Sequence, residues 1–393
     1  MGMRRVAVIA ILAALAALAI ASPAASAAAP RVPASFVGVV MDGPLFEPYV
    51  NLESELDQMV GAGVGSVRVV VDWSSAQPYA KWSDVPPDQM ARFRDEGGIP
   101  TDYSLVDRAV EGAVQRRLTV LPIVLIAPAW AARHPGQFGS PPEGTANFAN
   151  FAGALARRYG PSGSFFTERP ALAKVPVRHW QFWNEPSLTE FWSDKPWEKD
   201  YVALVRAART KVKQADSGAR IVLAGLPNKS WPELEKIYKL KARNLFDVVA
   251  IHPFTARVDG VLKILRLNRE VMRKYGDRKK SLWVTELSWT SARGKAAWTY
   301  GNETTEPGQA KKLAESFKLL AKHRSELKLQ RAYWYTWITY DAHPNYPFDY
   351  AGLSRLESDA TVTRKPSFLE LKKTALSLQR CKTKSGTANR CAS

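Results

Sequence analysis

Two glutamates stand where a packed interior should meet solvent: Glu185 in Trp183-Asn184-Glu185-Pro186, and Glu286 in Trp283-Val284-Thr285-Glu286-Leu287-Ser288-Trp289. Each closes an apolar, aromatic run that reads as a core strand. An ionisable group at the rim of such an interior costs free energy unless it is paired or used, which makes both positions candidate catalytic addresses. Two carboxyls projected from parallel strands could face each other across a sugar, one protonating a leaving oxygen and the other attacking the anomeric carbon. Rival chemistries find less support. The histidines His134, His179, His252, His323 and His343 show no HxxxH spacing and there is no CxxC, so no zinc site is expected. Asp341 to Asp349 lacks the ligand rhythm of a calcium loop. The glycines of Gly61-Ala62-Gly63-Val64-Gly65 follow a helix and precede a strand, the reverse of a phosphate-cradling turn, and read as a helix terminator. No cofactor or metal is therefore expected.

The elements that must hold the two acids follow from alternation. Apolar, β-branched runs recur at 36–42, 66–73, 118–126, 177–183, 220–226, 246–252, 281–286 and 329–337. Amphipathic helical runs fill the gaps at 52–62, 103–117, 146–159, 197–216, 232–242, 258–275, 307–323 and 366–378. Eight strands, each followed by a helix, predict a single α/β (β/α)8 barrel, the TIM barrel, over residues 28–380. Catalytic groups in such barrels sit at the C-terminal ends of the strands. Glu185 ends the fourth strand and Glu286 the seventh, so the two bracket the barrel mouth. Strict alternation along a strand turns Asn184 away from Glu185, so using both requires a bend at the strand end, which Pro186 makes plausible. The long inserts 74–101 and 339–364 are candidate walls of the site.

Composition bounds the compartment and the partners. Arg4 and Arg5, the apolar run Val6 to Ala21 and the small-residue sequence Ala25-Ser26-Ala27 read as a secretory signal over residues 1–27, with an uncleaved N-terminal anchor as the competing reading. No later run is long enough to span a membrane, and a secreted or extracytoplasmic location is expected. The two cysteines, Cys381 and Cys391, lie in the polar tail 381–393, where they either close a small loop or remain free thiols. A net charge of +18 over 393 residues would suit nucleic acid, but the Lys and Arg residues are spread over helices and tail with no basic arm, so no nucleic-acid partner is expected. A solvated basic surface, or an acidic polysaccharide or anionic envelope as partner, accounts for the charge. No heptad argues for a dimer, and a monomer is expected.

The pattern Asn184-Glu185-Pro186 after the fourth strand, with a glutamate in Trp-Val-Thr-Glu after the seventh, resembles the retaining glycoside hydrolases of clan A, the 4/7 superfamily, and is nearest in flavour to families 39 and 5. Arg68 in Ser-Val-Arg-Val-Val-Val-Asp-Trp matches a second-strand arginine of the clan. His252 in Ile-His-Pro-Phe matches a residue at the sixth-strand end, and Trp337 in Tyr-Trp-Tyr-Thr-Trp one at the eighth. The stretch from Ala351-Gly352-Leu353 to Arg364-Lys365-Pro366 resembles the lead into the last helix of such enzymes. The similarity spans residues 36–378. It implies Glu185 as general acid and then base, Glu286 as nucleophile, and Asn184 as a ligand of the sugar 2-hydroxyl. Arg68 would hold Glu286 ionised, or else serve as a structural partner of Asp72 or another rim acid.

Thirteen tryptophans are enough to line a sugar site, and several follow strands. An indole face packs on the C–H face of a sugar while the hydroxyls stay free to hydrogen-bond. Trp337 and Trp130 are the preferred platforms, with Trp73 a third; each could instead be a core residue. His252 is either a ligand or a packing residue. The expectation is a secreted retaining glycoside hydrolase acting on a β-linked poly- or oligosaccharide by double displacement, with transglycosylation differing only in what intercepts the intermediate. The competing class is a non-catalytic carbohydrate-binding or cell-surface barrel protein.

Overall fold

The computed structural model describes residues 32–380. The signal segment, the polar tail and both cysteines lie outside the described residues. Eight strands form a closed parallel ring: β1 (Val37–Met41), β2 (Ser66–Asp72), β3 (Thr119–Leu125), β4 (His179–Phe182), β5 (Arg220–Val222), β6 (Val248–His252), β7 (Ser281–Leu287) and β8 (Leu329–Trp334). Each strand pairs with its sequence neighbours, and β8 returns to β1 through Val37↔Ala332, Gly38↔Tyr333 and Val39↔Trp334. The helices that follow them are α1 (Leu52–Gly61), α2 (Ser104–Gln115), α3 (Thr145–Tyr159), α4 (Glu198–Ala215), α5 (Ser230–Lys239), α6 (Val258–Lys274), α7 (Glu306–Leu327) and α8 (Pro366–Leu378). The predicted (β/α)8 barrel is the fold. No helix among the described residues is long and apolar enough to cross a membrane.

Local chemistry explains where these elements start and stop. Asn51 caps α1 by accepting from the Ser54 amide at 3.0 Å, and Glu53 and Glu55 sit in its first turn, where the helix dipole favours them. Gly63, with φ near +84°, reverses the chain after α1, so the glycine run is a terminator as expected. Thr305 caps α7, and Pro307 follows in its first turn.

The core has two compartments. A small cluster of Val40, Leu121, Val222, Val248, Ala250, Trp283 and Tyr333 fills the barrel interior, and the larger cluster packs the outer strand faces against the helices. Val40, Arg68 and Leu121 lie in one register row, which fixes the inward direction for β1, β2 and β3.

The strand ends differ from the sequence reading in ways that matter for the site. Phe36 belongs to a 3-10 turn before β1, and Trp73 opens a short helix, Trp73–Ala76, capped by Asp72. The fifth strand is broken: Leu226–Pro227 continues past β5 as a separate segment paired with β6. The eighth stops at Trp334, three residues short of Trp337. The two inserts fold on themselves, the first as a hairpin of Arg94–Glu96 and Ile99–Thr101, the second as a small sheet of Ile338–Thr339, Ser354–Leu356 and Val362–Arg364.

Candidate active site

At the mouth, regular alternation gives way, and that is what gathers the polar groups. On β4, Gln181 points into the barrel. The chain then turns through left-handed backbone at Trp183 (φ +66°) and Glu185 (φ +37°), the bend that the Asn184–Glu185 pairing requires. On β7, the step from Val284 to Leu287 spans three residues while β8 advances two, from Ala332 to Trp334. Val284 and Leu287 both join the outer core. The extra residue forms a bulge, and it lets Thr285 and Glu286 both face the mouth where alternation would allow only one. On β6, regular alternation carries His252 inward two residues after Ala250.

Arg68 organises the floor of the site. Its Nη1 donates to Glu286 Oε1 at 2.7 Å, its Nη2 to Asn184 Oδ1 at 2.9 Å and its Nε to Gln181 Oε1 at 2.7 Å. Gln181 in turn donates to the Leu223 carbonyl at 2.8 Å. The guanidinium is 2 % exposed, so every donor must be satisfied within the protein, and the planar fork meets three acceptors from two strands. Asp72, offered as an alternative partner, instead caps the Trp73 helix through Ser74 and Ser75.

His252 joins the two acids. Its Nδ1 lies 2.7 Å from Glu185 Oε1 and 3.6 Å from Glu286 Oε2, and its Nε2 lies 2.9 Å from the Thr285 hydroxyl. One oxygen of each glutamate and a ring nitrogen of His252 all lie within 4.8 Å of one another. That spacing would also admit a cation, but Arg68 already occupies Glu286 and opposes a second positive charge. Gly225 makes the arrangement possible: a Cβ there would sit 1.8 Å from His252 Nε2.

The electrostatics of the two acids differ. Burial pushes the Glu185 carboxyl up to about 8, Arg68 acts against this only at a distance, and Glu190 adds to it. Burial also raises Glu286, but the directly bonded Arg68 guanidinium pulls against it. The group with the bonded cation therefore ionises first. His252 is held neutral, its value lowered to about 3 by burial, with Arg68 adding to the shift.

The sequence-derived residues divide cleanly. Glu185, Glu286, Asn184, Arg68 and His252 converge. The three tryptophans do not, and each is a correction. Trp337 is fully enclosed, bonds through Nε1 to Glu55 Oε2 at 2.7 Å and packs on Phe368, because the chain shifts past Trp334 and turns it outward. Trp73 is fully enclosed against Phe148 and Phe151. Trp130 is half-buried, donates to the Gln77 carbonyl at 2.7 Å and lines a cavity shared with Glu96, Asn150 and Lys211, none of which belongs to the mouth.

The aromatic walls come instead from the loops after β7 and β8. Phe348 packs against Phe254, Tyr300 and Tyr335, with ring centroids 5.1, 5.1 and 5.9 Å away. Trp298, Tyr300 and Tyr346 remain 43 %, 54 % and 49 % exposed. Tyr300 and Tyr346 both pack on Phe348, with ring centroids 5.1 and 6.2 Å away. A buried ammonium fixes these loops: Lys365 Nζ donates to Ser291 Oγ at 2.9 Å, Asp341 Oδ2 at 2.9 Å and the Tyr350 carbonyl at 3.1 Å. Sequence reasoning singled out neither Gln181 nor Tyr335 as a site residue. Gln181 sits at an inward position of β4, a signal that alternation offers once the strand direction is known, whereas Tyr335 lies one residue past the end of β8.

No protein-family model matches the chain, and no curated protein matches it significantly. Solved structures do match. A family 39 glycoside hydrolase from Bacteroides cellulosilyticus WH2 aligns over 88 % of this chain and 64 % of its own, at 22 % identity and a TM-score of 0.59. A monomeric beta-xylosidase from Caulobacter crescentus CB15 aligns over 88 % of this chain and 69 % of its own, at 17 % identity and a TM-score of 0.60. A glucosidase from Croceicoccus marinus aligns over 90 % and 69 %, at 16 % identity and a TM-score of 0.63. The chain thus spans a little under two thirds of the first enzyme's length. The shared feature is the (β/α)8 barrel.

Proposed function

We propose that the protein is a retaining glycoside hydrolase of clan A, cleaving a β-linked poly- or oligosaccharide through a covalent glycosyl-enzyme. The observation that carries this reading is the close, unequal pair of acids: carboxylate oxygens of Glu185 and Glu286 within 4.8 Å, with a bonded cation on Glu286 alone. Retaining enzymes hold their two carboxyls about 5 to 5.5 Å apart, and inverting ones about 6.5 to 9.5 Å, to leave room for a water.

In this reading the Glu286 carboxylate attacks the anomeric carbon while Glu185, protonated at neutral pH, delivers its proton to the leaving oxygen. With the neutral His252 carrying its proton on Nδ1 and donating to Glu185 Oε1, the acid proton rests on Oε2, free for the aglycone; the Thr285 hydroxyl then donates to Nε2. After the aglycone leaves, Glu185 takes a proton from an incoming water whose oxygen attacks the anomeric carbon; the bond from that carbon to Glu286 breaks, freeing the carboxylate and restoring the proton on Glu185. Asn184, its Oδ1 bound to Arg68, keeps its amide N–H groups for the sugar 2-hydroxyl. Tyr300 and Tyr346 offer faces on which sugar C–H surfaces can pack.

Export, suggested by the N-terminal run, and a monomeric state belong to the same proposal. The net charge of +18 supports an acidic polysaccharide or anionic envelope as what the outer surface meets. The competing reading, a carbohydrate binder without catalysis, gives no role to a second buried acid whose proton is kept at neutral pH. Incubation with a panel of 2-deoxy-2-fluoro glycosyl fluorides, followed by peptide mass spectrometry, tests the proposal. A stable adduct on Glu286 supports it; no adduct with any sugar favours the binder.

A further inference from the structure

A third carboxylate, Asp42, faces the mouth, and the double displacement does not use it. Val40 lies inward, in register with Arg68, so alternation brings Asp42 inward at the end of β1, one layer above the floor. Thr336, just past β8, donates its hydroxyl to Asp42 Oδ1, and the Tyr335 hydroxyl also bonds to this carboxylate. Tyr335 and Tyr346 each feel the charges of both Asp42 and Glu286. Burial raises the Asp42 carboxyl above its ordinary value, while the Thr336 hydrogen bond, the Arg68 charge and the Tyr335 hydrogen bond act against this; the side chain is partly exposed, and as a carboxylate it retains acceptor capacity toward the cleft.

Its position around the ring decides what it can touch. β1 is two strands from β7, with β8 between them, whereas β4 lies three strands away in the other direction. Glu185 on β4 defines the side from which the leaving group departs, so Asp42 stands beside the sugar ring that Glu286 attacks. The field of Arg68 reaches Asp42, Glu185, Glu286 and His252 together, and three of its five N–H groups bond to Glu286, Asn184 and Gln181.

Building on the proposed retaining reaction, we infer that the reacting sugar is uncharged, and that Asp42 selects it by accepting hydroxyl hydrogen bonds while repelling a sugar that carries its own carboxylate. A neutral ring presents hydroxyl donors to the acceptor-only Asp42. A uronate would set a second negative charge beside it, where the Arg68 guanidinium is already bonded to Glu286, Asn184 and Gln181, and such a like-charge contact acts as a discriminator. The positive charge of the outer surface can still hold an acidic polymer, but the bond that is cut lies after a neutral residue.

The test measures the rate of Glu286 labelling by three reagents: 2-deoxy-2-fluoro-β-D-xylosyl fluoride, the glucosyl fluoride and the glucuronyl fluoride. A neutral reagent is expected to label, and the glucuronyl reagent to react at least about tenfold more slowly. Faster labelling by the glucuronyl reagent overturns the inference and leaves the retaining reaction standing; no labelling by any of the three removes support from both. The Asp42→Asn variant keeps an oxygen for Thr336 and removes the charge. It is expected to slow the neutral reagent and raise the glucuronyl-to-neutral rate ratio about tenfold. A residue that only ties β1 to β8 would change both rates alike, and an unchanged ratio therefore refutes the role given to Asp42. Labelling rate constants do not depend on the fraction of molecules that fold, so partial misfolding leaves the ratio intact.

Discussion

The floor of the barrel and its mouth are built from the same eight strands by opposite rules. On the floor, Val40, Leu121, Val248, Ala250, Trp283 and Tyr333 obey alternation and form an apolar interior that any strand pattern would foretell. At the mouth, three strands break the rule: β4 turns through left-handed residues, β7 takes a bulge, and β8 ends at Trp334, before the tryptophan expected to face the sugar. The breaks let adjacent residues, Asn184 with Glu185 and Thr285 with Glu286, share one side of the sheet. The floor supplies rigidity, while the irregular mouth brings unlike polar groups to within bonding distance and stays there because Arg68 and His252 link its pieces.

The largest way to disturb this contrast is to remove what spans it. Arg68 rises from the floor row and holds three mouth acceptors, so Arg68→Met leaves Glu286, Asn184 and Gln181 buried without their donor. We expect kcat/KM on an activated aryl glycoside to fall by about 10^3-fold. The acid limb of the pH profile should also move. Activity requires Glu286 ionised, so the rate falls as pH drops through its pKa; losing Arg68 raises that pKa and shifts the limb to higher pH. In the unmodified protein the alkaline limb reports loss of the Glu185 proton, with activity declining as pH rises through about 8. A profile whose alkaline limb survives unchanged in Glu185→Gln, assayed with an aryl glycoside whose leaving group needs no proton, would break the assignment.

A smaller effect comes from crowding the link between the acids. Gly225→Ala places a methyl group against the His252 ring, which must move off Glu185. Overpacking of this kind costs about 1–3 kcal/mol of stability, and we expect about tenfold lower kcat with KM little changed. Thermal unfolding and steady-state kinetics check both, and unaltered kinetics would show that the His252 contact is dispensable.

The smallest effects separate core aromatics from wall aromatics. Trp337→Phe removes one donor to the buried Glu55, which keeps both bonds from Arg364, and should lower stability by about 0.5–1.5 kcal/mol with KM unchanged. Tyr346→Ala, at an exposed ring, should leave stability within about 0.5 kcal/mol and raise KM several-fold. The reverse pattern would restore the platform role to Trp337.

How much of this could be read from the sequence follows from the same contrast. The strand rows and helices were legible because hydrophobic periodicity records burial on the floor and outer faces. Glu185, Glu286, Asn184 and Arg68 were legible because charged or amide groups beside apolar runs stand out. Trp337 misled because its approach looked like continuous strand, and only the shift after Trp334 turns it away. Asp42, Tyr335 and the Tyr300 and Tyr346 walls were not singled out: Asp42 and Tyr335 lie just past short strands, where alternation gives a direction only once the inward row of Val40 and Tyr333 is known, and a residue in a long loop carries no periodic signal at all.

The central claim is that Glu286 attacks the sugar directly, because the two acids are too close to admit a water between them. Proton NMR of the first product formed from a β-glycoside, recorded before mutarotation, tests it most directly. The account predicts that the β anomer appears first and the α anomer grows in afterwards; the α anomer appearing first would contradict it.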